Sequence, residues 1–191
     1  MSDPSEGPLR ISNRETTYQC PFMEITHQQA EFEGFTKDYY VVNFKRRGGV
    51  VVLKNGEVLL VRQYRFLLNG ASWELPGGTI EDDENVESGL VRECLEETGV
   101  RVSALRALVE YYPGLDNVDN RTTVFLSEQA EPVAPFRGNP AEIQEIAWVP
   151  LERCLRMVFD REILDAMTVA GLLACEHILR RRAATQLPAR S

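Results

Sequence analysis

The sequence is poor in the residues that build thiolate metal sites and disulfide frameworks. It holds four cysteines (Cys20, Cys94, Cys154, Cys175) and two histidines (His27, His177) in 191 residues. No two cysteines form a C-x-x-C pair, which argues against a structural zinc site. Cysteine use without evident pairing fits a reducing compartment, and the chain is expected to be cytoplasmic. No apolar run approaches the roughly 20 residues of a membrane span. No charged-then-apolar leader opens the sequence either, so no membrane partner is expected. Positive charge is the other scarcity, with 21 Lys and Arg against 29 Asp and Glu and a net charge of −8. Phosphate backbones want a basic surface, so nucleic acid is not an expected partner.

What is present suits a globular protein, at 43% hydrophobic and 26% charged residues, with chain enough for one full core. Residues 1–14 are polar and punctuated by Pro and Gly, and read as a loosely ordered tail. Residues 15–47 are rich in β-branched and aromatic side chains around a turn at Glu33-Gly34, which predicts a small antiparallel strand layer. Residues 48–182 form the main domain, and 183–191 a second tail. Within the main domain, Lys54-Asn55-Gly56 between apolar runs predicts a hairpin. Asn85 predicts the cap of a helix ending at Thr98, with Gly99 as its stop. Strands follow over RVSALRALVEYY and RTTVFLSEQ, then a proline-rich surface loop over SEQAEPVAPFRGNPAE and a last strand over IQEIAWVP. Helices are predicted over Leu151–Met157 and Glu162–Arg182, the second burying Ile163, Met167, Ala170, Leu173 or Ala174, and Ile178. The fold class is α/β, a mixed and largely antiparallel sheet between helices.

Negative charge is concentrated between Gly78 and Val100, GTIEDDENVESGLVRECLEETGV, with eight acids in 23 residues. On a helix, Glu93, Glu96 and Glu97 become neighbours at i, i+3 and i+4, where like charges repel. No local basic run neutralises them. Clustered carboxylate oxygens suit a hard divalent cation such as Mg²⁺. The bland alternative for acids alone is a solvated helix face.

The segment also resembles the Nudix box, G-x5-E-x7-R-E-U-x-E-E-x-G-U with U aliphatic. Gly78, Glu84, Arg92, Glu93, Glu96, Glu97, Gly99 and Val100 fall in place, while Cys94 stands at an aliphatic position, where buried Cys acts as a small hydrophobe. The resemblance implies the α/β/α sandwich of that family and metal-assisted hydrolysis of a pyrophosphate. It implies Glu93, Glu96 and Glu97 as ligands of Mg²⁺, with Mn²⁺ as an alternative, and the Gly77 carbonyl as a further hard donor. Arg92 is expected to orient a carboxylate rather than touch substrate. Glu84 would bind metal through water, stabilise the loop or complement the helix dipole.

The flanks narrow the resemblance. VRQYR…WELPGGTIE is similar to the corresponding segment of ADP-ribose and nucleotide-sugar pyrophosphatases, and YYPGLDN resembles their S-P-G segment, with Tyr112 in place of Ser. This implies Arg65 on the diphosphate or terminal sugar and places Pro113 at the substrate. Tyr18 or Phe22 would stack on a base, or else pack in the core or a dimer; Trp73 reads as core packing. The family also implies a loop glutamate near the final strand, Glu142 or Glu145, and a homodimer through the N-terminal strands. The expected activity is Mg²⁺-dependent cleavage of a small-molecule nucleoside diphosphate, ADP-ribose or a related nucleoside diphosphate sugar, giving a nucleoside monophosphate and a sugar phosphate. The alternatives are a dinucleoside polyphosphate or oxidised-nucleotide hydrolase, and a non-catalytic ADP-ribose sensor.

Overall fold

A computed structural model describes residues 7–81, 83–133, 135–136 and 143–186. In chain order its elements are β1 (Arg10–Ile11), β2 (Glu15–Cys20), β3 (Met23–Phe32), β4 (Phe35–Asn43), β5 (Arg46–Lys54), β6 (Glu57–Arg65), β7 (Gly70–Glu74) and β8 (Gly77–Ile80). There follow α1 (Val86–Thr98), β9 (Val100–Ser103), β10 (Arg106–Tyr111), β11 (Val118–Asp119), β12 (Thr122–Ser127), β13 (Gln129–Pro132), β14 (Ile143–Pro150), α2 (Leu151–Phe159) and α3 (Ala166–Gln186). The chain divides into two compact units, Met1–Lys45 with Tyr112–Arg121, and Arg46–Tyr111 with Thr122–Ser191.

In the first unit β2, β3 and β4 form an antiparallel meander, and β1 adds to β3. Gly34 at φ +88° closes the β3–β4 turn, a conformation that costs glycine little. The short β11 joins β4 in parallel, Val118 opposite Val42, so this unit recruits a segment 75 residues downstream of its last N-terminal strand (Asn43 to Val118). His27 anchors the meander across strands. Its Nε2 lies 2.8 Å from Asp38 Oδ1, and its ring stacks on Tyr40 at 4.7 Å.

The second unit is built on a mixed sheet ordered β10-β12-β5-β6-β14, with β8 on β5 and β7 on β6. Strand β5 explains the layers. Its apolar run alternates, with Val50 and Val52 packing beside Cys94 of α1, and Val51 and Leu53 beside Cys154 of α2 and Met167, Leu172 and Cys175 of α3. A strand buried on both faces reads as a continuous hydrophobic run, and each such side chain removed from water contributes about 1.5–3 kcal/mol. Cys94 is fully buried, so at its aliphatic position it packs as a hydrophobe.

Two expectations shift. The segment predicted as loop from Ser127 begins with β13, whose Gln129–Pro132 pairs antiparallel with β9. The last helix starts at Ala166 rather than Glu162, because the Asp165 carboxylate accepts from the Thr168 amide at 2.8 Å and its hydroxyl at 2.7 Å, which caps the first turn. Its buried stripe is Met167, Thr168, Leu172 and Cys175, while Leu173 is exposed. No helix among the described residues is long and apolar enough to cross a membrane.

Candidate active site

The sheet of the second unit splits where the site lies. Strand β5 pairs with β6 at Leu53 and Lys54, but from Arg46 to Gly49 its partner on that edge is β8. Strand β6 meanwhile takes β7 along Val61–Arg65. Leu75 and Pro76 carry the chain from β7 to β8, and Val50 N–H holds the crossing by donating to the Pro76 carbonyl at 3.0 Å. The parted strands and α1 enclose a cleft of about 580 Å³, lined by Arg47, Gln63, Arg65, Gly77, Gly78, Glu93, Glu96 and Glu97 among others.

Helix α1 forms as its sequence dictates. The Asn85 side chain accepts from the Glu87 amide, and Gly99 at φ 71° returns its amide to the Leu95 carbonyl, so both ends are capped. Leu90 and Cys94 are buried on one face, which turns Glu93 and Glu97 toward the cleft. Glu97 is held at both oxygens: Gly77 N–H donates to Oε2 at 2.9 Å and Gln63 Nε2 to Oε1 at 3.1 Å. Burial, and secondarily the charge of Glu93, push its carboxyl up to about 7 against the pull of those donors. Burial also raises Glu93, although Arg92 pulls it down.

Arg92 organises three carboxylates. It forms a bidentate pair with Glu84 at 3.1 and 3.0 Å, and its Nη1 reaches Glu93 at 2.9 Å and Glu96 at 3.2 Å. The hydrogen bond from Arg92 holds Glu84 below the usual carboxylate range. Glu96 stays at the rim with 60% of its side chain exposed. Two glycines admit this arrangement. A Cβ on Gly78 would sit 2.8 Å from the Glu93 carboxylate, and one on Gly77, at φ +154°, would lie 2.3 Å from the Gly48 carbonyl oxygen.

Arg65 grips Glu74 through Nε at 2.7 Å and Nη2 at 2.5 Å. Glu74 is buried while 40% of the Arg65 side chain stays exposed, so the pair presents a positive edge to the cleft. Gly77 touches Glu97 through its amide; its carbonyl is the group that the resemblance implies as a metal donor.

The donor set fits a hard divalent cation. The acids offer oxygen only, and burial together with the charge of Glu93 makes the ionised form of Glu97 costly, a cost an adjacent cation relieves. Among the described residues no three such groups already stand at coordinating distance. Glu93 and Glu97, with Glu96 moving in from the rim, would hold the ion.

The remaining residues singled out from the sequence divide between the two units and the undescribed segment. Tyr18 on β2 and Phe22 in the β2–β3 turn belong to the first unit, 51% and 82% exposed. Pro113 lies in that unit's Tyr112–Arg121 segment. Glu142 falls outside the described residues. Glu145 on β14 is exposed and lies 3.6 Å from Arg62; the neighbour that lines the cleft is Ile143. Sequence reasoning missed Arg47, Gln63, Glu74 and Thr168. Of these, Gln63 had a signal, since it sits inside VRQYR two residues before Arg65.

An acid-bearing loop–helix, spliced into a split mixed sheet beside arginines, has the cleft and the charges that a hydrolase of phosphoanhydrides needs. Comparison with known proteins agrees. The NUDIX domain matches residues 43–167, and the chain belongs to the Nudix family as a Nudix hydrolase. It is 31% identical over 160 residues to a CMP-5'-(N-acetyl-N-hydroxy-3-aminopropyl)phosphonate hydrolase of Streptomyces rubellomurinus, covering 80% of this chain and 75% of that one. It is 33% identical over 132 residues to an ADP-ribose pyrophosphatase of Bacillus subtilis, covering 67% and 71%. A GDP-mannose pyrophosphatase of Cronobacter sakazakii is 32% identical over 150 residues, covering 70% and 78%. The crystal structure of an ADP compounds hydrolase superposes with a TM-score of 0.81 at 18% identity, covering 95% of this chain and 98% of that one, a likeness of fold.

Proposed function

We propose that this chain hydrolyses the diphosphate linkage of ADP-ribose or a related nucleoside diphosphate sugar, with Mg²⁺ as cofactor and Mn²⁺ as a substitute, giving a nucleoside monophosphate and a sugar phosphate. The observation that carries the reading is one cleft holding Glu93 and Glu97 together with the outward edge of Arg65. Glu93, Glu96 and Glu97 would hold the divalent cation, which when bound would supply charge stabilisation for the phosphate oxygens and acidify water. Arg65, fixed by Glu74, offers the diphosphate a guanidinium that has lost little freedom on binding. Gln63 and Gly77 hold the Glu97 carboxylate in place, and Arg92 does the same for Glu93 and Glu84. The loop acid, Glu142 or Glu145, and the substrate contacts of Tyr18, Phe22 and Pro113 are part of the same proposal. So are a homodimer built on the N-terminal strands and a cytoplasmic setting.

The similarity to a nucleotide-phosphonate hydrolase favours a second reading, in which the group beyond the anhydride is a phosphonate. One experiment decides between them. Purified protein is offered ADP-ribose, GDP-mannose, a CMP-linked phosphonate, a dinucleoside tetraphosphate and an oxidised nucleoside triphosphate, each with Mg²⁺, Mn²⁺ or EDTA, and products are resolved by chromatography. Cation-dependent release of nucleoside monophosphate from a diphosphate sugar is expected. Preference for the CMP-linked phosphonate selects the second reading, and preference for the polyphosphate or the triphosphate contradicts both; no turnover on any substrate, with ADP-ribose binding detected by calorimetry, makes the chain a sensor.

A further inference from the structure

Arg46 and Arg47 are adjacent in sequence, yet the pleat of β5 sends them to opposite faces. Arg46 is spent on the fold: its Nη2 donates to the Glu81 and Glu84 carbonyls, each at 3.1 Å, and so holds the loop that leads into α1. Arg47 is not. Its side chain makes no hydrogen bond or ion pair among the described residues, and its Nε is buried without a partner. The same side chain lines the cleft with Arg65, Glu93 and Glu97. Along β5, Arg47 stands opposite Thr122 on β12 and Thr79 on β8.

A buried guanidinium N–H without an acceptor costs free energy. A buried unpaired donor marks a place where something else, a water, an ion or a ligand, supplies the acceptor, and this one belongs to a side chain that lines the cleft. The cleft is otherwise dominated by acids, so an anionic substrate needs positive charge beyond Arg65, which is already paired with Glu74. We propose that Arg47 is a second substrate-binding arginine, its guanidinium donating to phosphate oxygens of the diphosphate from the β5 wall of the cleft while Arg65 grips from the β6 wall. This rests on the diphosphate reading above and adds to it a two-sided arginine clamp for the anhydride.

The test measures binding rather than turnover. Methylenediphosphonate, whose P–C–P bridge resists hydrolysis, is titrated with Mg²⁺ into the wild-type chain and into Arg47→Met, Arg47→Lys and the exposed control Arg153→Met, with melting curves for each. Arg47→Met is expected to bind the probe roughly 10- to 100-fold more weakly, the loss of charge-assisted hydrogen bonds. Arg47→Lys should fall between, and Arg153→Met should match wild type. Because the Nε has no partner to lose, Arg47→Met should melt no lower than wild type, which a structural arginine would not allow. Unchanged affinity in Arg47→Met, absence of probe binding by the wild-type chain, or an affinity loss that tracks a lowered melting midpoint each overturn the assignment. Should the substrate panel show no turnover while probe binding still depends on Arg47, the clamp stands and the proposed reaction falls.

Discussion

The Gly77 amide donates to Glu97 Oε2 across 20 residues of sequence. That bond fastens the helix acid to the glycine before the acidic segment, and Gln63 fastens the other oxygen from β6. Glu97→Gln keeps size and one acceptor, so the fold should persist while the charge is lost. Turnover on the preferred substrate is expected to drop roughly 100-fold or more, with an unchanged circular dichroism spectrum. Full turnover in a folded variant would remove Glu97 from the chemistry.

The same carboxyl makes stability depend on pH when metal is absent. Its pKa is raised from the ordinary 4.5 to about 7, so the folded state binds the proton more tightly than the unfolded chain. This contribution is fully present below pH 4.5 and is lost as pH rises through 7. In EDTA the melting midpoint should therefore fall between pH 5 and pH 8 more steeply than in Glu97→Gln. Added Mg²⁺ binds the ionised form, so its stabilisation should be larger at pH 8 than at pH 5. Parallel profiles for the two proteins would show that Glu97 is not the group responsible.

Gly78→Ala inserts a methyl group 2.8 Å from the Glu93 carboxylate. The side chain must move, and the hydrogen bond from Arg92 with it. A loss of roughly 10- to 100-fold in apparent Mg²⁺ affinity is expected, recovered in part at higher Mg²⁺. An unshifted Mg²⁺ titration would place Glu93 outside the metal site.

Thr168 is buried on α3, and its hydroxyl accepts from the Leu75 amide at 2.9 Å while donating to Asp165. Thr168→Val leaves that amide unpaired in the crossing between Glu74 and Gly77, at a cost of about 1–3 kcal/mol. Chemical denaturation should register the loss, and Thr168→Ser should restore it. Equal midpoints for Val and wild type would show that the crossing is held by other contacts.

The acidic helix was legible in the sequence because its information is local: the cap, the stop and the face are set by spacings of a few residues. The β5–β6 hairpin was legible for the same reason, from Lys54-Asn55-Gly56 between two apolar runs, whereas the burial of β5 on both faces depends on helices far along the chain. Arg47 was not, since nothing in an Arg-Arg pair says which member will find an acceptor; the sheet pleat and the split between β8 and β6 decide it. Glu74 and Thr168 escaped because their partners lie across strands and, for Thr168, 93 residues away. The start of α3 was misplaced by four residues because hydrophobic periodicity runs back to Ile163, whereas the Asp165 cap sets the first turn. Strand β11 was hidden because a two-residue parallel pairing leaves no periodicity to read.

Cleavage of a nucleoside diphosphate linkage in the acid-lined cleft can be followed by phosphorus NMR of ADP-ribose incubated with the protein and Mg²⁺. The coupled diphosphate resonances should give way to two monophosphate resonances, and EDTA should prevent the change. Persistence of the diphosphate signals with Mg²⁺ present, or release of inorganic phosphate in their place, would contradict such cleavage.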